Sequence, residues 1–103
     1  METGEILDTS VAMTRKEGVI TVFTLIEFPP SAKCSFDILL PELEDYAKAA
    51  EIAGILRAYG SPIGAIDILI ASMCLNRFAK LLTKDYDFMA VKKFFPDFQV
   101  ESL

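Results

Sequence analysis

The chain has 103 residues, enough for one domain and one core. Apolar residues make up 52% of it, the formal net charge is −5, and histidine is absent. Without histidine there is no Ser-His-Asp or Cys-His catalysis and no zinc site built on imidazole. Any chemistry falls to carboxylates, whose oxygens suit Mg²⁺ or Mn²⁺. The negative sum argues against a nucleic-acid binder working by basic charge alone, although two divalent ions would bring it close to neutrality.

Mean hydropathy is positive. Yet no stretch reaches the roughly 18 unbroken apolar residues of a membrane span. The run Ile63 to Leu75 is broken by Gly64, Asp67 and Ser72. Met1-Glu2-Thr3-Gly4-Glu5 has neither the basic start nor the apolar core of a signal peptide. The expectation is a soluble, cytoplasmic protein, one compact domain over 1–103, burying apolar surface in a dimer or higher oligomer. Cys34 and Cys74 have no C-x-x-C spacing. Cys74 reads as a buried structural thiol.

Strand-like and helix-like segments alternate, which predicts an α/β layer fold. Glu5 to Leu7 is a short first strand ending at Asp8. Thr9 to Gly18 is polar. Val19 to Thr24, rich in β-branched residues, reads as a second, buried strand. Leu25 to Phe28 continue it as a helical turn, and Pro29-Pro30 stop it. Phe36 to Leu40 is a third strand.

Pro41 opens a helix to Tyr59, with Glu42, Glu44 and Asp45 in its first turn. Its apolar face is Tyr46, Ala49, Ala50, Ala53 and Leu56, and Gly60 is its C′ residue. Ser61 caps a following helix with Pro62 at its first position. That helix runs to Phe78 and is apolar nearly all round, hence central and buried. Lys80 to Thr83 is a fourth strand. A last helix spans Tyr86 to Phe95, and Phe98 to Val100 form a fifth, edge strand.

Four acids stand out. Asp67 has Gly64, Ile70, Ala71 and Cys74 as helical neighbours, where an unpaired charge is costly. Glu27 is the only charge between Gly18 and Pro29. Asp8 follows Ile6-Leu7, and Asp85 follows Leu81-Leu82-Thr83. Each has a local alternative: a first-turn acid on free N–H groups for Asp67, an outward edge position for Glu27, an N-cap or turn for Asp8 and Asp85. Three of them fall at or past a strand end, where open parallel sheets build sites. Asp67 opens the helix leading into strand four. Carboxylates converging there cannot all stay ionised without cations. A divalent metal resolves that conflict and can act on a phosphate ester.

These residues resemble a known family. Ile6-Leu7-Asp8-Thr9-Ser10 looks like the opening strand of PIN domains, and Thr24-Leu25-Ile26-Glu27 like their second acidic motif. Gly60-Ser61-Pro62-Ile63-Gly64-Ala65-Ile66-Asp67-Ile68-Leu69-Ile70-Ala71 is the most specific match. Thr83-Lys84-Asp85-Tyr86-Asp87-Phe88 resembles the fourth motif. The likeness is greatest to VapC-type toxin ribonucleases.

The resemblance implies a three-layer PIN-like fold, a mostly parallel sheet of four or five strands flanked by helices. It implies Mg²⁺- or Mn²⁺-dependent hydrolysis of RNA, a homodimer, and inhibition by a small antitoxin. Asp8, Glu27, Asp67 and Asp85 take the acidic places as metal ligands and catalytic residues. Thr9 and Thr83 add hydroxyl contacts, and Asp87 is a fifth acid or a solvated first-turn residue. Arg15, Lys16, Lys80 and Lys84 are candidates to hold RNA phosphates, or ordinary surface charge.

Only 18 residues lie between Asp8 and Glu27, fewer than the family usually has. Thr9 to Gly18 is short for a parallel crossover, and Pro29-Pro30 stand where a helix usually continues. The alternative expectations are a catalytically inactive, degenerate PIN-like interaction module, or a PIN nuclease of RNA processing without an antitoxin.

Overall fold

The computed structural model describes residues 4–103. Met1 to Thr3, on which part of the signal-peptide reading rests, lie outside the described residues.

Strand β1 (Glu5–Leu7) carries two apolar residues in succession, Ile6 and Leu7, and both are buried. It pairs in parallel with β4 (Lys80–Thr83), Ile6 opposite Leu81 and Leu7 opposite Leu82. On the other side of β4 runs β5 (Gln99–Ser102), also parallel, with Leu81 opposite Val100. A second parallel pair joins β2 (Glu17–Thr21) to β3 (Ser35–Leu39), and β2 lies beside β1. Ile6 and Leu81 belong to one apolar cluster, Leu7 and Leu82 to another. Successive strand residues face opposite ways, so these two clusters are the two faces of one sheet. Apolar runs buried on both faces mark parallel strands covered by helices.

Helices α3 (Leu43–Ala58), α4 (Ala65–Asn76) and α5 (Met89–Phe94) cover the first face through Ala49, Ile52, Leu56, Ile68, Ala71, Cys74 and Val91. Helix α1 (Thr9–Ala12) covers the second through Val11 and Ala12. The result is the expected α/β arrangement of parallel strands flanked by helices, but the strands form a three-stranded sheet, β1-β4-β5, and a two-stranded one, β2-β3, in place of one sheet of four or five. Among the described residues no helix is long and apolar enough to cross a membrane.

Several boundaries differ from expectation, most by one to three residues. The second strand stops at Thr21, and Val22–Glu27 form helix α2. The Thr21 hydroxyl accepts the backbone N–H of Thr24 at 3.4 Å and caps that helix, which overrides the β preference of Val22 and Phe23.

Helix α4 begins at Ala65 rather than Ser61. Gly60, at φ +73°, and Ser61 are used to close α3: their N–H groups donate to the carbonyls of Arg57 and Leu56. That pattern is the Schellman motif, with Ser61 as its last residue, and the N-cap position of the next helix falls to Gly64. The same motif ends α4 at Asn76, with Phe78 at φ +53° in the C′ place and Ala79 donating to Cys74.

The inner face of α3 is Asp45, Ala49, Ile52 and Leu56, while Tyr46 and Ala50 are exposed. Asp45 is drawn inward by Arg77, whose guanidinium donates to both carboxylate oxygens at 2.9 and 3.0 Å, and by Asn76 at 2.9 Å. Burial alone would push the Asp45 carboxyl up. The hydrogen bonds from Arg77, from its own helix cap at Glu42 and from Asn76 outweigh it and hold the group below the usual range.

Candidate metal centre at the carboxyl edge of the sheet

The pairing of Leu7 with Leu82 sets Asp8 beside Thr83, just past the carboxyl ends of β1 and β4. The Asp8 N–H extends the ladder to the Leu82 carbonyl at 2.9 Å. The Asp8 side chain is buried, and its Oδ2 accepts from Thr83 Oγ1 at 2.7 Å and from Ser10 Oγ at 3.0 Å. It occupies the N-cap position of α1 without capping it.

Asp67 sits in the first turn of α4, behind the extended residue Gly64. Among the described residues its carboxylate makes no local cap bond, so the first-turn alternative is not the observed arrangement. Burial pushes its carboxyl up from the ordinary 3.8 to about 6, reinforced by the charges of Asp8, Asp85, Glu27 and Asp87 in that order. Four acids from three separate segments, the end of β1, the end of α2 and the loop after β4, thus act on one carboxyl group.

Asp85 serves two purposes. Its Oδ1 accepts the Asp87 N–H at 2.9 Å and caps the short 3₁₀ turn Tyr86–Phe88. Its carboxylate also gathers with those of Asp67 and Asp87, one oxygen from each lying within 4.8 Å of the others. Asp87 therefore stands in the tightest acidic group.

Glu27 lies past the end of β2, in the helical turn expected of it. It ends helix α2, six residues beyond the last residue of β2, and is exposed. Thr9 tethers it, donating to Oε1 at 2.7 Å. The single proton of Thr9 is thereby committed, so Thr24 Oγ1, 3.0 Å away, is the donor to Thr9. Ser10 and Thr24 were not singled out by sequence reasoning. The run Asp8-Thr9-Ser10 held the available signal, two hydroxyls directly after a buried acid.

Of the cationic candidates, Lys84 follows Thr83 directly and is exposed, as are Arg15 and Lys16. Lys80 does not join them. It opens β4, about 10 Å of strand from Thr83, and pairs with Glu101 at 2.9 Å and Glu5 at 3.8 Å at the amino edge of the sheet.

Three carboxylates converging from α4 and the loop after β4, with two more acids close by, offer an all-oxygen donor set. In charge and donor type this fits a hard divalent cation.

The sequence matches no protein-family model and no curated protein. Solved structures do match. A chain of VapBC-1 from nontypeable Haemophilus influenzae superposes with a TM-score of 0.77 at 20% identity, covering 95% of this chain and 96% of that one. A chain of VapBC-5 from Mycobacterium tuberculosis, a toxin–antitoxin system, gives 0.76 at 19%, covering 98% and 99%. A chain of VapBC2 from Rickettsia felis, bound to a promoter DNA fragment, gives 0.75 at 17%, covering 95% and 97%. The chain has the PIN-like fold of these VapBC chains. At such identities the likeness is one of fold. It runs through nearly the whole of each VapBC chain.

Proposed function

We propose that this chain is a metal-dependent endoribonuclease, hydrolysing RNA phosphodiester bonds as the toxin of a toxin–antitoxin pair. The observation that carries the reading is the meeting of Asp67, Asp85 and Asp87 within 4.8 Å, with Asp8 and Glu27 near enough to act on Asp67. The PIN-like fold shared with VapBC chains supports it and supplies the kind of partner, a small antitoxin. The proposed assembly is a homodimer.

In this reading Asp8, Asp67, Asp85 and Asp87 hold Mg²⁺ or Mn²⁺. Such an ion, when bound, supplies positive charge at a phosphate oxygen and acidifies water. Glu27, fixed through Oε1 by Thr9, keeps Oε2 for the hydrogen of an attacking water and orients it. Thr83 and Thr9 hold their acids in place. Lys84, with Arg15 and Lys16, faces the RNA backbone.

The test is cleavage of single-stranded RNA in Mn²⁺ by the wild type and by Asp67→Asn. A loss of at least tenfold in the variant is expected. Equal rates would remove Asp67 from the chemistry and the reading with it.

A further inference from the structure

Both hydroxyls that grip Asp8 act on the same atom. Oδ2 accepts from Thr83 at 2.7 Å and from Ser10 at 3.0 Å. A hydroxyl has one proton, so each oxygen is then free to accept. Thr83 Oγ1 accepts the Asp85 N–H at 3.0 Å, and Ser10 Oγ accepts the Lys84 N–H at 3.0 Å. Two chains of N–H, hydroxyl and carboxylate therefore run side by side. They start at consecutive residues of the loop that delivers Asp85 and Asp87 and end on one oxygen of Asp8. Among the described residues Oδ1 accepts no hydrogen bond.

Ser10 is also unlike other hydroxyls of this protein. Thr14, Ser31 and Ser72 donate to a backbone carbonyl three residues back in their own turn. That is the usual local habit of Ser and Thr. Ser10, in the first turn of α1, instead joins Asp8 to a loop 74 positions away.

We infer that Ser10 is a positioning residue of the acidic site: with Thr83 it fixes the rotation of the Asp8 carboxylate, leaving Oδ1 for a cation, and holds the Lys84–Asp85 backbone at a set distance from it. The inference rests on the proposed divalent-ion reading of that site. The cost of losing such a partner to a ligating carboxylate is about tenfold in metal affinity.

The test uses the full chain with Mn²⁺ alone, by titration calorimetry, together with amide hydrogen exchange at Lys84. Ser10→Ala is expected to weaken Mn²⁺ binding about tenfold and to speed exchange at Lys84. Ser10→Thr, which keeps the hydroxyl, is expected to restore both. Alanine is the better helix former at this half-buried helical position, so the fold is retained. Wild-type Mn²⁺ affinity in Ser10→Ala, even with a lowered Tm, overturns the inference, and so does an unprotected Lys84 amide in the wild type. A wild-type protein that takes up no Mn²⁺ sinks the nuclease reading itself, whatever Lys84 shows.

Discussion

Thr9 Oγ1 and Glu27 Oε1 stand 2.7 Å apart, so the start of α1 grips the end of α2 across 18 positions of sequence. The bond is charge-assisted, and it is what brings an exposed acid on a short helix to the edge where Asp8 lies. Thr9→Val keeps the shape and removes the proton. RNA cleavage in Mn²⁺ is expected to fall about tenfold, while Thr9→Ser retains most of it. Equal rates for valine and serine would show that Glu27 is held by something else.

The clamp between Asp45 and Arg77 lies at the far end of α4 from Asp67, and its failure should be a matter of stability only. Asp45 is fully buried, and Arg77 keeps 17% of its side chain exposed. Removing one partner of such a pair costs about 3–5 kcal/mol because the other is left buried and uncompensated. Asp45→Ala is therefore expected to lose a large part of the 5–15 kcal/mol typical of a domain. The double change Asp45→Leu with Arg77→Met recovers most of it. The Asp45 carboxyl is lowered in the folded state, so its contribution is present above pH 3.8 and is lost as the pH falls through the folded value. Urea melts at pH 7 and pH 3 measure both effects. A single variant as stable as wild type at pH 7 would contradict the clamp.

Phe78 is a bulky, largely exposed residue at φ +53°. An L side chain pays about 1–2 kcal/mol in that region, and an exposed ring recovers little of it. Phe78→Gly is expected to stabilise the protein by about 1 kcal/mol, which for a domain near this size is a rise of roughly 4–8 °C in Tm. A fall in Tm would show that the ring contributes more contact than its exposure indicates.

The sheet edges and the acids were legible because each depends on short stretches of chain. Lys80 to Thr83 reads as a strand from its own residues, and it is one. Asp67 is conspicuous among apolar neighbours, and its strained ionisation follows. What the sequence hides is register. Thr83 meets Asp8 across 75 positions, a distance no local pattern spans, so Ser10 gave no sign of its bond to Lys84. The start of α4 was misplaced for a related reason. Ser61-Pro62 has the composition of a helix start, but Ser61 belongs to the closing turn of α3 and the N-cap position of α4 falls three residues later, at Gly64. Lys80 resembled Lys84 as a charge near an acid. Only the direction of β4 separates them, to opposite edges of the sheet.

The two cysteines should separate by reactivity. Cys74 is fully buried in the main cluster, and burial pushes its thiol far above the ordinary range. Cys34 is partly exposed after the 3₁₀ turn Pro29–Lys33. Because the thiolate is the reactive form, a thiol reagent on the native protein is expected to modify one equivalent, at Cys34. Cys74 should react only on unfolding. Equal native rates would mean that the core opens locally near α4.

Asp67 makes the acidic edge a source of instability as long as no cation is present. Its folded pKa is about 6 against 3.8 for the free group. Between those values the folded chain keeps a proton that the unfolded chain has released, so stability falls as pH rises from about 4 to 6 and stays lower above. Water reaches the carboxylate, and screening reduces the effect to about 1 kcal/mol. Asp67→Asn removes the ionisation. In EDTA its Tm is therefore expected to exceed that of the wild type by roughly 4–8 °C at pH 7.5, with the gap closing below pH 4. Adding Mn²⁺ at pH 7.5 is expected to raise the wild-type Tm and to leave the variant nearly unmoved, since a ligand that binds only the folded state stabilises it by mass action. A variant less stable than wild type at pH 7.5 in EDTA would mean that Asp67 is paired in the free protein, and that the carboxylates do not repel one another there.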